Sequence, residues 1–416
     1  MKKIHLSYGQ VTHKNIETPN HFVSHMIEHI AWRMGCSIEL EWDDENWEEL
    51  GLAFGKGIGE FPVQAQEAAA LGMIDDGSAE VSVQLASEPK LQLQSSSKIE
   101  IDYFLSLRCE QLSSGEPLIS FLTGMTRGIG AQINVFVCSL QDPHHTWEGV
   151  FRGVGTALQT IYAPTQTSGK FSNEQSSGSN TEGIEISNCS CNGVTISRRT
   201  AESELEVAID FSSPTKVFLQ YEGAPIDHFD GKRTFAGLED LLNTIATTCG
   251  FHLTALFTSK ALSSSHVLLE DTGMVLGRAL REILVLRMAD KGINGAGSSI
   301  NTPSDIVDQD ISAGISVEGR KSCLFVPLVT DHFELYKNFI IGKSVFGGLY
   351  TEDLDDFFDG FSWGLGCSLL FHFKQIPEVE EGWQQLFTNF AIALNQVFEI
   401  NQGRKGVPPG VKANLF

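Results

Sequence analysis

Apolar residues recur along this chain in two rhythms, one helical and one alternating, and four times the rhythm changes at a glycine. Helix-period segments end at Gly35, Gly130, Gly250 and Gly366. Each is followed by an alternating stretch, namely Ser37-Ile-Glu-Leu-Glu-Trp42, Gln132-Ile-Asn-Val-Phe-Val137, Phe251-His-Leu-Thr-Ala-Leu256 and Ser368-Leu-Leu-Phe-His-Phe373. Glycine suits the residue just past a helix, because the left-handed conformation costs little without a Cβ. After each stretch come a polar turn and a second helical segment, beginning near Trp47, Trp147, Glu270 and Trp383. Small residues on one face of these second helices predict close packing on a sheet.

The period thus predicts an α/β chain of the α+β two-layer sandwich kind. It reads as four repeated β-β-α-β-α half-domains, at residues 1–75, 76–163, 196–290 and 291–416, with helices on one face of each sheet. Two half-domains make one domain. Between them, from about Thr165 to Gly193, the chain turns rich in Ser, Gly, Asn and Thr and nearly loses its large apolar side chains. Such a stretch buries too little surface to order itself. It predicts domains at 1–163 and 196–416 joined by a linker at 164–195.

Composition narrows the function classes. The 416 residues are 42% apolar, ample for two globular domains. No run of about 18 apolar residues occurs, and the opening Met1-Lys2-Lys3-Ile4-His5 lacks the apolar stretch of a secretory signal, so a soluble cytoplasmic protein is expected. A net charge of −23 repels phosphate backbones and anionic membranes, which argues against nucleic acid or membrane as partner. The eight cysteines lack the paired spacing of a zinc knuckle or disulfide framework.

Candidate chemistry gathers at a second-helix start, His144-His145-Thr-Trp-Glu148, where His144 and Glu148 stand four residues apart on one face. That spacing lets imidazole and carboxylate converge on one cation, while His145 points elsewhere. Taken alone it fits a metal site or two surface histidines. Ser265-His266-Val-Leu-Leu-Glu270 keeps the spacing without the second histidine. His21, His25 and His29 repeat at intervals of four, a pattern that suits a metal ladder but equally packing or surface positions. Asp355-Asp356 and Glu380-Glu381 read as solvated acidic helix starts, Phe357 and Phe358 as core, and His252 as a surface histidine.

The second half of the chain carries a longer series in fixed order. It runs through Arg198-Arg199-Thr200-Ala201-Glu202-Ser203, Glu239-Asp240-Leu-Leu, His266 to Asp271, Lys291-Gly-Ile-Asn294, Glu318-Gly319-Arg320-Lys321, Asp355-Asp356-Phe357-Phe358, Glu380-Glu381-Gly-Trp-Gln384 and Gly410-Val411-Lys412-Ala413. In this it resembles the imidazoleglycerol-phosphate dehydratase family, and the first half does so more faintly through His25, Asp44 to Glu48 and His144 to Glu148. The resemblance implies two dehydratase-like domains in tandem. It also implies a hydro-lyase that removes water from imidazole glycerol phosphate in histidine biosynthesis, using Mn2+ or another divalent transition metal held between half-domains.

Carried over residue by residue, the family's first-helix histidine falls on His25, Ser120, Asp240 and Asp356. Its second-helix trio falls on Asp44, Glu45 and Glu48, then His144, His145 and Glu148, then His266, Val267 and Glu270, then Glu380, Glu381 and Gln384. Only the second trio is intact. Pairing the second and third half-domains would give one ion His144, Glu148 and Asp240, and another His266, Glu270 and His145. The first and fourth offer mostly carboxylates, expected to be inactive or structural. Glu202 takes the place of the family's acid/base carboxylate, and Arg320 and Lys412 match its phosphate-holding cations, with Lys170 as a fainter echo. Gly295 stands where the family has an arginine. The resemblance further implies a small phosphorylated imidazole substrate and a homo-oligomer. A catalytically impaired pseudoenzyme with a scaffold or assembly role is the alternative.

Overall fold

The structure, a computed structural model, describes residues 2–8, 14–74, 77–96, 99–162, 183–223, 232–260, 265–300, 308–402 and 405–406. It divides into two compact units, Met1–Gln175 and Ser176–Phe416. Strands and helices alternate in both, giving the mixed α/β class that the two apolar rhythms predict.

In the first unit β1 (Lys3–Tyr8), β2 (Lys14–Glu17), α1 (His21–Met34), β3 (Cys36–Glu41) and α2 (Trp47–Gly59) come first. Then follow β4 (Glu67–Ile74), β5 (Gly77–Leu85), β6 (Lys90–Ser95), α3 (Ile101–Ser106), α4 (Glu116–Ile129), β7 (Ala131–Ser139) and α5 (Pro143–Tyr162). Their sheets run β1-β3-β2 and β4-β5-β7-β6. In each, the strand that follows a helix slots between earlier ones. Thus β3 is antiparallel to β1 and parallel to β2, and β7 is antiparallel to β5 and parallel to β6.

The second unit holds β8 (Ile184–Ser187), β9 (Gly193–Arg199), β10 (Ser203–Asp210), β11 (Val217–Glu222), α6 (Lys232–Cys249), β12 (His252–Ser259) and α7 (Ser265–Asp290). After these come β13 (Ala296–Ser298), β14 (Ile311–Ser316), β15 (Ser322–Pro327) and a short α8 (His332–Leu335) that runs into one π-helical turn at Tyr336–Ile340. The chain closes with β16 (Ser344–Val345), β17 (Leu349–Tyr350), α9 (Thr351–Leu365), β18 (Ser368–Phe373) and α10 (Val379–Val397). The two larger sheets run β11-β12-β10-β9-β8 and β13-β14-β18-β15, again with the post-helix strand inserted. β12 is antiparallel to β10 and parallel to β11, and β18 likewise to β14 and β15.

The glycines that end the predicted helices do so in left-handed conformation, with φ of 72° at Gly35, 73° at Gly130, 75° at Gly250 and 74° at Gly366. The strands beyond them alternate as expected, so that Ile38, Leu40, Ile133, Val135, Leu253, Ala255, Leu369 and Phe371 are buried beneath the helices. Phe357 and Phe358 are core residues.

Three features differ from expectation, two of them boundaries. β4 was placed with the first half-domain by the cut at residue 75, yet it pairs with β5 along its whole length. Close packing explains this, because a Cβ at Gly72 would lie 2.0 Å from the Gly149 carbonyl oxygen, so β4 belongs against α5. The expected linker at 164–195 contains an ordered end, since β8 pairs antiparallel with β9 and Ile184 packs on the core. One or two apolar residues suffice there because the ladder satisfies the backbone.

The third difference concerns the small residues of the second helices. On α5 Gly149 and Gly153 do face a sheet while Gly155 meets α1, and α10 lies as closely on β13, where a Cβ at Gly297 would meet the Ala393 carbonyl at 1.9 Å. On α2 and α7 they face another helix. Gly51 and Gly55 of α2 meet the backbone of α4, whose Gly124 and Gly128 return the contact, and Gly273 and Gly277 of α7 meet α9, which answers with Gly360 and Gly364. In both pairs the contacts advance together along the two helices, so each pair runs in the same direction. No helix among the described residues is long and apolar enough to cross a membrane.

Candidate metal centre

α5 opens with Asp142 as its cap. The Asp142 carboxylate accepts from the His144 N–H, and its carbonyl accepts from the Thr146 N–H at 3.0 Å and the Thr146 hydroxyl at 2.6 Å. This fixes the first turn and sends His144, His145 and Glu148 into the interior, where all three are buried. α1, capped by Asn20 through the Val23 N–H at 3.0 Å, packs against α5 and presents His25 and, one turn on, His29.

These side chains meet at a single carboxylate oxygen. Glu148 Oε1 lies 2.8 Å from His25 Nε2, 2.7 Å from His29 Nε2 and 3.5 Å from His144 Nε2. The other ring nitrogen of His144, Nδ1, is 3.1 Å from Glu110 Oε1. Glu110 reaches it from a loop where its own φ is +50°. Arg152 Nη2 stands 3.7 Å from the second Glu148 oxygen.

Electrostatics follow from burial and pairing. Desolvation works against the Glu148 carboxylate, but the three imidazoles outweigh it and hold the group well below the usual range. Burial likewise opposes the His144 cation, yet Glu110 and Glu148 together raise its pKa well above the ordinary value. His29 goes the other way. Burial lowers it to about 4 in spite of its bond to Glu148.

Donor chemistry fits a cation. Ligand atoms of His25, His144 and Glu148 all lie within 4.8 Å of one another. Two imidazoles and a carboxylate are ligands for a borderline divalent ion such as zinc or manganese. Glu110, on the far nitrogen of His144, supplies the carboxylate that fixes a ligand's tautomer and orientation. Without an ion, several ring nitrogens compete for one oxygen.

In the second unit the start of α7 meets α9. His266 Nδ1 is 2.7 Å from Asp356 Oδ2, and His266 Nε2 is 3.6 Å from Glu270 Oε2. The Ser265 hydroxyl donates to Asp353. Asp356 was expected on a solvated helix start, but the close crossing of α7 and α9 buries it together with Glu352 and Asp353. Glu380 and Glu381 are exposed, as expected for an acidic helix start.

Asp240 is exposed on α6, and within the first unit His25 and His29 accompany His144 and Glu148. Glu202 sits in the β9–β10 turn, where its N–H donates to the Thr200 hydroxyl at 3.1 Å. That hairpin is tied to α7 by Arg198 and Ser203, which both donate to Asp271. Arg320 is exposed in the β14–β15 turn, beside the carboxyl end of α9, where Gly319 N–H donates to Gly366 O at 2.9 Å. It is therefore roughly 15 Å along the helix from Asp356, taking 1.5 Å per residue. Lys412 and Lys170 lie outside the described residues. His29 and Glu110 were not singled out as ligand partners. The spacing of four between His25 and His29 was a usable signal for the first, whereas Glu110, in an irregular loop, had none.

No family model matches the chain. Among curated proteins, imidazoleglycerol-phosphate dehydratase of Methylorubrum populi is 26% identical over 220 residues, covering 53% of this chain and 97% of that enzyme. The enzyme of the same name from Pyrococcus furiosus is 26% identical over 151 residues, covering 35% of this chain and 80% of its own. Among solved structures, that of the Pyrococcus furiosus dehydratase in complex with (S)-C348 aligns with 23% identity and a TM-score of 0.33, over 39% of this chain and 93% of its own. The Staphylococcus aureus enzyme gives 19% identity and a TM-score of 0.34 over the same shares. The sequence matches carry the weight: over one stretch, about the length of the whole enzyme, this chain resembles imidazoleglycerol-phosphate dehydratase.

Proposed function

We propose that the protein is a divergent metal-dependent hydro-lyase acting on a small phosphorylated imidazole, with a divalent ion held by His25, His144 and Glu148. One observation carries this reading: three buried donors of the right chemistry converge within 4.8 Å on two packed helices. When bound, the ion would supply Lewis-acid polarisation of the substrate. Glu110 orients His144 in the first unit. Within the second unit Glu202, on a hairpin anchored through Asp271, is the carboxylate assigned to proton transfer. In the second unit Asp356 orients His266, so that Nε2 and Glu270 offer two further donors. Homo-oligomeric assembly belongs to the same proposal, and a measurement of the mass in solution tests it.

Elemental analysis of protein purified without chelator tests it. Stoichiometric transition metal in wild type, lost in Glu148→Gln and His144→Ala, is expected. Conversion of imidazole glycerol phosphate by the metal-loaded chain should then follow. Wild type free of metal, even after incubation with manganese or zinc, ends the reading. A second reading, a catalytically impaired scaffold, is favoured by the position of Arg320, which is exposed and distant from Asp356. It predicts bound metal with no turnover.

A further inference from the structure

We propose that His29 is a fourth protein donor to the cation of the first unit, filling in the resting protein the coordination position that an exogenous nitrogen ligand would take. The inference rests on the metal reading of that site and is independent of lyase activity. His29 follows His25 by four residues on α1, so both rings project from one face. Its Nε2 lies 2.7 Å from Glu148 Oε1 and 3.2 Å from His25 Nε2, reaching two members of the donor trio.

Geometry sets His29 beside two of the three donors, His25 and Glu148, while the ligand atoms that all lie within 4.8 Å of one another are those of His25, His144 and Glu148. With metal–nitrogen and metal–oxygen bonds of about 2.0–2.1 Å, donors around a tetrahedral ion stand roughly 3.3 Å apart. The separations here, 2.7, 2.8 and 3.5 Å from Glu148 Oε1 to the three ring nitrogens and 3.2 Å between His25 and His29, bracket that value. Arg152, 3.7 Å from Glu148 Oε2, engages the other carboxylate oxygen, which leaves Oε1 to bind through one atom. Three imidazoles and one carboxylate suit zinc or cobalt better than magnesium or calcium. A small imidazole entering the site then has to displace His29.

The test uses the full chain loaded with cobalt(II), whose visible bands are intense in four-coordinate sites and weak in six-coordinate ones. Wild type should show the intense bands and resist added imidazole. His29→Ala should lose intensity or take up imidazole at a concentration at least about tenfold lower. His29→Gln, closer in size and polarity, repeats the comparison, and circular dichroism checks that both variants fold. Cobalt retained by wild type but lost from both folded variants also supports the proposal. Identical spectra and imidazole affinities in all three chains overturn it while leaving the metal site standing. A wild type that holds no cobalt removes the metal reading and the role of His29 together.

Discussion

Replacing Gly273 by alanine probes the contact that brings His266 to Asp356. A Cβ at Gly273 would lie 2.0 Å from the Phe357 carbonyl oxygen, where ordinary contact begins at 3.4 Å, so α7 and α9 must part by about 1.4 Å at that point. Overpacking of this kind costs about 1–3 kcal/mol. Parting the helices also stretches the buried 2.7 Å bond between His266 and Asp356, a loss of roughly 1–3 kcal/mol for a buried hydrogen bond left unmade. Alanine returns up to about 1 kcal/mol through helix propensity. The net is a destabilisation of about 3 kcal/mol, which for a unit of this size lowers the melting temperature by about 6–12 °C. Calorimetry and guanidinium unfolding measure it. Gly59→Ala is the control, since its Cβ would meet nothing nearer than 3.8 Å, and it should be neutral or slightly stabilising. Should Gly273→Ala prove as stable as that control, the helix crossing does not hold α7 and α9 as described.

Stability of the metal-free first unit should depend on pH with a maximum near 6.5. Below that value the unfolded chain protonates His29 while the fold holds it neutral to about 4, so stability is lost as pH falls through that window, at up to about 1.4 kcal/mol per unit. Glu148, depressed by its imidazoles, adds to the loss below the unfolded carboxylate range. Above 6.5 the raised His144 reverses the slope, because its stabilisation fades as pH rises towards its folded value. Denaturant midpoints from pH 4 to 9 test this, and a monotonic profile contradicts it. Asp271→Ala, which leaves Arg198 and Ser203 without their shared acceptor, should cost about 3 kcal/mol and speed proteolysis between β9 and β10. An unchanged cleavage rate would show that the hairpin carrying Glu202 is held by other means. Metal content should follow Glu148, with Glu148→Gln losing the ion and His145→Ala keeping it in the first unit.

Much of the secondary structure was legible in the chain because its causes are local. A glycine that ends a helix adopts positive φ for steric reasons confined to its own neighbourhood, and an alternating strand buries every second side chain whatever sheet it joins. The placement of His144 and Glu148 on one face of a helix start is local in the same sense. Which residues come to meet them is not. His25 and His29 arrive from another helix more than a hundred residues earlier, and Glu110 from a loop with no regular pattern.

The small residues of the second helices show the same division. Gly51 and Gly273 look no different in sequence from Gly149, yet the first two admit a neighbouring helix and the last admits a strand. Composition determined that these helices would be approached closely. Only the tertiary structure decided by what, because the identity of a packing partner depends on how distant segments satisfy their own apolar faces. The burial of Asp356 was decided in that way too. An acidic helix start is ordinarily solvated, and here the glycine-lined crossing of α7 and α9 turns it inward onto His266.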